Sequence, residues 1–181
     1  MTSTLKTDKI EGVTSSGTVA MPAGHVIQTV TAKSTTETSF NSTSWVSSGL
    51  FVNITPKFST SKILISFSAA MYIAGEAEYS IVSVFRESGT ATAAQAISGT
   101  DLATDASVAS GSWGFGFLHD DTSDNSTAAI GGTITCAGVL DAPATTSQLR
   151  YTVGCRNYDT ATNYFSANTA RSTLVAQEIA Q

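Results

Sequence analysis

From Lys62 to Ile73, apolar side chains recur at every second position: Ile63, Ile65, Phe67, Ala69, Met71 and Ile73, with Ser66, Ser68 and Ala70 between them. A period of two over this length marks a strand with one buried face; on a helix the same residues would scatter around the axis. Just upstream, Leu50, Val52 and Ile54 alternate with Phe51 and Asn53, which reads as a second strand. Pro56 ends it, because proline has no N–H to give to a ladder. Ser59, Thr60 and Ser61 are expected to turn the chain through side-chain bonds to the backbone, with Lys57 and Lys62 flanking the corner in water. This strand-corner-strand unit is the frame for the rest.

More strands follow the same logic. His25 to Ala32 is the first, entered through Met21, Pro22, Ala23 and Gly24. A polar loop then carries Phe40 as its anchor, and Trp45 opens the next strand region. Tyr79 to Arg86 is apolar on both faces, with Tyr79, Ile81 and Phe85 on one and Val82 and Val84 on the other. Such a strand lies at a sheet centre or faces a partner subunit. Ala96 to Ile97 reads as a short edge strand. Ser112 to His119 alternates Trp113, Phe115 and Phe117 with Gly114 and Gly116, giving an aromatic face and a bare one suited to close backbone approach. Ile130 to Leu140 and Gln148 to Arg156 form an expected hairpin around Asp141-Ala142-Pro143. Its arms would place Ile134, Cys136 and Leu140 on one face, and Leu149, Tyr151, Val153 and Cys155 on one face. Ser172 to Ile179 closes the chain. Eight to ten strands with polar turns and no convincing helix predict an all-β fold, an antiparallel β-sandwich of the jelly-roll kind.

Residues 1–24 differ. Leu5, Ile10 and Val13 are sparse among Thr, Ser, Lys and Asp, too few to offset ordering entropy alone. The expected division is an extended N-terminal segment, 1–24, that docks on another chain, and a sandwich domain, 25–181. The net charge of -5 argues against nucleic acid as a partner, since phosphate binding needs clustered Lys and Arg. No apolar run reaches 18 residues, so no transmembrane helix and no membrane insertion are expected. The first twelve residues show no apolar signal-peptide region. The triplets at Asn41, Asn53 and Asn125 then read as chance matches in a Thr-rich chain.

The sequence offers little chemistry. Asp120, Asp121, Asp124 and Asn125 supply hard oxygen ligands for Ca²⁺, but lack the spacing of a full calcium loop; a solvated hairpin loop is the plainer reading. Cys136 and Cys155 are too few for a disulfide framework or a zinc site. They read as buried free thiols, with a cross-strand disulfide as the alternative if register sets them opposite. The only histidines, His25 and His119, lie far apart, and no nucleophile elbow, zinc helix or phosphate loop occurs. No enzyme, cofactor or metal is expected. Tyr158 and Tyr164 offer rings that would stack on sugars, against the plainer reading of a structural loop.

Three segments carry a family resemblance. The start STLKTDKIEGVTSSGTVAMPAGHVIQ, the core ITPKFSTSKILISF and the ending ARSTLVAQEIA resemble small virion appendage proteins of marine tailed phages, tail fibres or knobs, especially phages of cyanobacteria and other ocean bacteria. Residues 87–170 match only in style. The resemblance implies a jelly roll like that of tumour-necrosis-factor-like trimers, assembled as a homotrimer on the virion exterior after synthesis in the bacterial host cytoplasm. It also implies adsorption to the host surface, commonly through glycans. No catalytic residue transfers. Leu5, Ile10 and Val13 would then belong to a virion-attachment segment that contacts other virion proteins. Tyr79, Ile81, Val82, Val84 and Trp113 become candidates for the subunit interface. The alternative is a capsid spike, cement or decoration protein, or a tail adaptor, with a purely structural role.

Overall fold

A computed structural model describes residues 22–74, 79–103, 114–119, 129–158, 162–166 and 169–181. Leu5, Ile10, Val13, Trp113 and the acidic loop from Asp120 to Asn125 lie outside them.

The described residues form strands β1 (Val26–Ser34), β2 (Thr38–Phe40), β3 (Val46–Ile54), β4 (Lys62–Ala74), β5 (Tyr79–Glu87), β6 (Gly99–Asp101), β7 (Gly116–His119), β8 (Ala129–Asp141), β9 (Leu149–Asn157), β10 (Asn163–Phe165) and β11 (Ser172–Ile179). All pairings are antiparallel. In the first sheet β4 takes β8 along one edge and β11 then β10 along the other. β1 pairs with β11, and β2 pairs with β10. In the second sheet the order is β3, β9, β5, with β6 and β7 end to end along the far edge of β5. From β3 onward the chain crosses between the sheets at β3–β4, β4–β5, β7–β8, β8–β9 and β9–β10. That winding is the jelly roll.

Period two places the core. Ile63, Ile65, Phe67, Ala69, Met71 and Ile73 all face inward and are buried. All but Ile73 meet Leu50, Val52 and Ile54 of β3, Val82 and Val84 of β5, and Tyr151 and Val153 of β9 in one cluster. β3 stops at Ile54, two residues before Pro56. Phe40, the lone anchor of the polar loop, is buried in β2.

Three expectations change. β8 and β9 do not form a hairpin: β8 pairs with β4 in the first sheet and β9 with β3 and β5 in the second, so Asp141-Ala142-Pro143 opens a crossing between sheets. Each arm buries one face, and the partner that covers it comes from elsewhere in the chain. Leu140 also points outward and is 51% exposed. A bulge between Cys136 and Val139 adds a residue, so Val139 and Asp141 turn inward instead. Phe115 and Phe117 do not share a face. Gly114 takes a φ of +57°, and a Cβ there would lie 2.1 Å from the Val82 carbonyl oxygen. The strand therefore begins only at Gly116; Phe115 turns in against Phe67, and Phe117 stays outside.

Candidate functional site

β5 is a central strand of its sheet. Val82 and Val84 face the core, and the alternate residues Tyr79, Ile81 and Phe85 face outward. Ile81, Val82 and Val84 are nevertheless fully buried within the single chain. Of the two readings of a twofold-apolar strand, sheet centre is the one found, and these three residues have no surface to give a partner. The outer side of β5 is covered by the chain itself: Trp45 packs edge-on against Phe85 at 5.3 Å, and residues 94–97 bond to the backbone of Trp45 and Ser47. This is the short edge segment expected at Ala96, which forms a bridge to Val46.

Tyr79 remains partly open. Register sets His119 beside it, and the two rings stack at 4.0 Å and 10°. Phe117 and Tyr158 close on the same ring at 5.7 and 5.6 Å. Phe117 is 49% and Tyr158 64% exposed. Farther along this outward face, Arg156 lies over Trp45 at 5.0 Å and Arg150 over Phe51 at 3.6 Å. Arg150 is held from below by Glu87, at 2.9 Å. Exposed aromatic rings beside guanidinium groups form a surface that stacks on flat or apolar partners. His119, Phe51 and the two arginines were not expected at a shared surface, and Phe117 was expected only on the aromatic face of its own strand. Their signal is register, which joins positions far apart in the chain.

The outward face of the first sheet is different in kind. On β4 it presents Leu64, Ser66, Ser68, Ala70 and Tyr72, and on β11 Thr173, Val175, Gln177 and Ile179. β8 adds Thr133, Thr135 and Leu140. None of these is charged; Lys33 and Lys62 stand at the rim. Tyr164 packs edge-on against Tyr72 at 5.8 Å here. Tyr158 and Tyr164, read together from the sequence, thus lie on opposite sheets.

The corner at 55–61 is held by Glu178 of β11. This carboxylate is fully buried. It accepts the backbone N–H of Lys57 at 2.7 Å and of Phe58 at 3.3 Å, and the Gln28 side-chain amide at 2.6 Å. Burial alone would raise its pKa; the hydrogen bonds outweigh burial and hold it below the ordinary value. The corner is therefore organised by a distant carboxylate, where its own Ser and Thr side chains were expected to act. The core and closing segments that carry the family resemblance meet at this residue.

Cys136 and Cys155 are free and buried, in opposite sheets, and burial raises both thiols. Among the described residues no group of three or more His, Cys, Asp and Glu side chains is placed to hold a metal.

No family model matches the chain, and no curated protein matches it. Among solved structures it is similar to the infectious bursal disease virus Gx strain structure, at 10% identity and a TM-score of 0.39, covering 85% of this chain and 37% of that one. It is also similar to the VP2 subviral particle of infectious bursal disease virus, at 11% identity and 0.37, again covering 85% and 37%. The chain spans less than half the length of either, and at this distance the likeness carries no functional information. The class that fold and faces define is a jelly-roll β-sandwich with one uncharged and one aromatic outer face.

Proposed function

We propose that the protein is a non-enzymatic virion appendage, a homotrimeric knob that packs its uncharged first-sheet face against sister copies and presents its second sheet to the host surface. The observation that carries this reading is that the outward positions of β11, of β4 from Leu64 to Tyr72 and of the described part of β8 bear no charge, with Lys62 only at the rim. Interface cores are depleted in charged residues, whereas a sheet face left in water ordinarily carries them. The small Ser, Thr and Ala side chains there let a second sheet approach closely. The three-segment resemblance supports the same assignment. It gains weight from Glu178, which ties two of those segments into one unit.

Residues 1–24 serve in this reading as the virion-attachment segment. Among the described residues, Gly24 bonds through its N–H to the Ala180 carbonyl, while the Ala180 N–H bonds to the His25 carbonyl. The test is adsorption. Purified protein is expected to compete with phage for host cells, and a chain starting at His25 is expected to compete equally while failing to enter particles. No competition by either form, with the protein found only on the capsid, would replace this reading by a decoration role.

A further inference from the structure

The edge of the sandwich between the two sheets carries a cleft of about 250 Å³. Five hydroxyl side chains line it: Ser34, Thr36, Thr38, Ser48 and Thr92. Phe51 is the aromatic wall, 38% exposed. No charged side chain takes part in the lining.

The hydroxyls keep spare capacity. Each has one donor and two acceptor positions. Ser34 Oγ accepts from the Thr36 N–H and retains its proton to donate, and Thr36 and Thr92 are exposed, whereas Ser48 is buried and its Oγ accepts the Leu50 N–H. Thr38 is buried and donates to the Ser48 carbonyl, so it forms the floor of the cleft.

The wall is fixed from outside the cleft. Arg150 covers one face of the Phe51 ring and does not line the cleft. Arg150 bonds to Glu87 and to the Ala91 carbonyl at 2.8 Å. Glu87, buried, also accepts the Ala91 N–H and the Thr152 hydroxyl. One ion pair thus holds both the ring and the loop bearing Thr92. At Gly49, with φ of +82°, a Cβ would lie 3.1 Å from the Ala93 Cβ, so the loop seats closely on a glycine. A preorganised ring with a rim of hydroxyls is a built site.

We infer that this cleft is a subsite for one neutral hexopyranose ring of a host-surface glycan. The sugar's C–H face lies on Phe51 and its hydroxyls exchange hydrogen bonds with the Ser and Thr rim. The absence of charge selects against acidic sugars. The volume lies below the roughly 300–1,000 Å³ of sites for drug-sized ligands, which suits a single ring. The inference rests on the host-surface reading and adds its ligand class and place.

The test is saturation-transfer NMR on the full chain with methyl glucopyranoside, galactopyranoside and mannopyranoside, and with glucuronate as the acidic probe. One neutral glycoside is expected to bind saturably, with a Kd on the order of 1–10 mM. Phe51→Ala is expected to weaken it about tenfold or more, roughly 1.4 kcal/mol. Thr36→Val, which removes a hydroxyl and little volume, gives a second variant should Phe51→Ala not fold. Binding that survives both cleft substitutions, a preference for glucuronate, or no saturable binding overturns the subsite. Adsorption competition separates the two levels. A wild-type chain that competes without binding any hexoside leaves the host-surface reading standing and removes the cleft. One that binds through Phe51 without competing does the reverse.

Discussion

Glu178→Ala is expected to lower folding stability by about 3–5 kcal/mol, measured by urea unfolding. The substitution leaves the Lys57 and Phe58 N–H groups and the Gln28 amide without their acceptor. Each buried donor left unsatisfied costs roughly 1–3 kcal/mol, and the site opens a small void as well. Glu178→Gln keeps an acceptor oxygen and is expected to lose about half as much. The carboxylate also fixes a pH dependence. Its pKa is lower in the folded chain than the ordinary 4.5, so the folded state holds fewer protons on it than the unfolded one. The stabilisation is complete above about pH 4.5 and is lost as pH falls through the folded value. In Glu178→Gln this part of the acid dependence disappears. An acid limb identical to wild type would remove Glu178 from this role.

Asp141→Ala is expected to cost about 2–4 kcal/mol. Asp141 ends β8 in the first sheet and takes Arg86 of the second sheet through both oxygens, at 2.7 and 2.9 Å. The fully buried Tyr151 hydroxyl donates to the same carboxylate at 2.7 Å. Burial first, then the bond and charge of Asp141, push the tyrosine pKa up, so it stays a donor at any working pH. Removing the carboxylate strands a guanidinium and a phenol at the join between the sheets. Arg86 is 29% exposed on its side chain, and water there softens the loss. Arg86→Met in the Asp141→Ala background is expected to recover part of the stability, because the unpaired charge goes with it. A double variant as unstable as the sum of the single ones would show that the pair is not coupled.

The long strands were legible because period two survives in any context. The buried β4 face and the closing strand follow from alternation, and the end of β3 follows from Pro56, which has no N–H to give to a ladder. The hairpin of β8 and β9 failed because alternation does not say which sheet an arm joins, and two other expectations failed where one residue resets the alternation. The bulge after Cys136 turned Leu140 outward, and the turn at Gly114 separated Phe115 from Phe117. β2 and β10 have three residues each, too short for a periodic signal. The aromatic cluster was half legible: Tyr79 and Tyr158 stood out as residues, but only the β5–β7 register brings His119 and Phe117 to them. Glu178 left a trace that alternation alone shows, a carboxylate in line with inward-facing Leu174 and Ala176. Its acceptor role needed the fold, since the donors lie about 120 residues upstream.

In the proposed trimer the first-sheet face, charged only at its rim, is the contact between copies of this chain. The measurement that tests it most directly is the mass of the purified protein in solution by light scattering, beside Ser68→Glu, which sets a charge in the middle of that face. The expected result is a trimer of about 56 kDa, three times 18.7 kDa, and a folded monomer for Ser68→Glu. A wild-type mass of 18.7 kDa, or a trimer unchanged by Ser68→Glu, would contradict it.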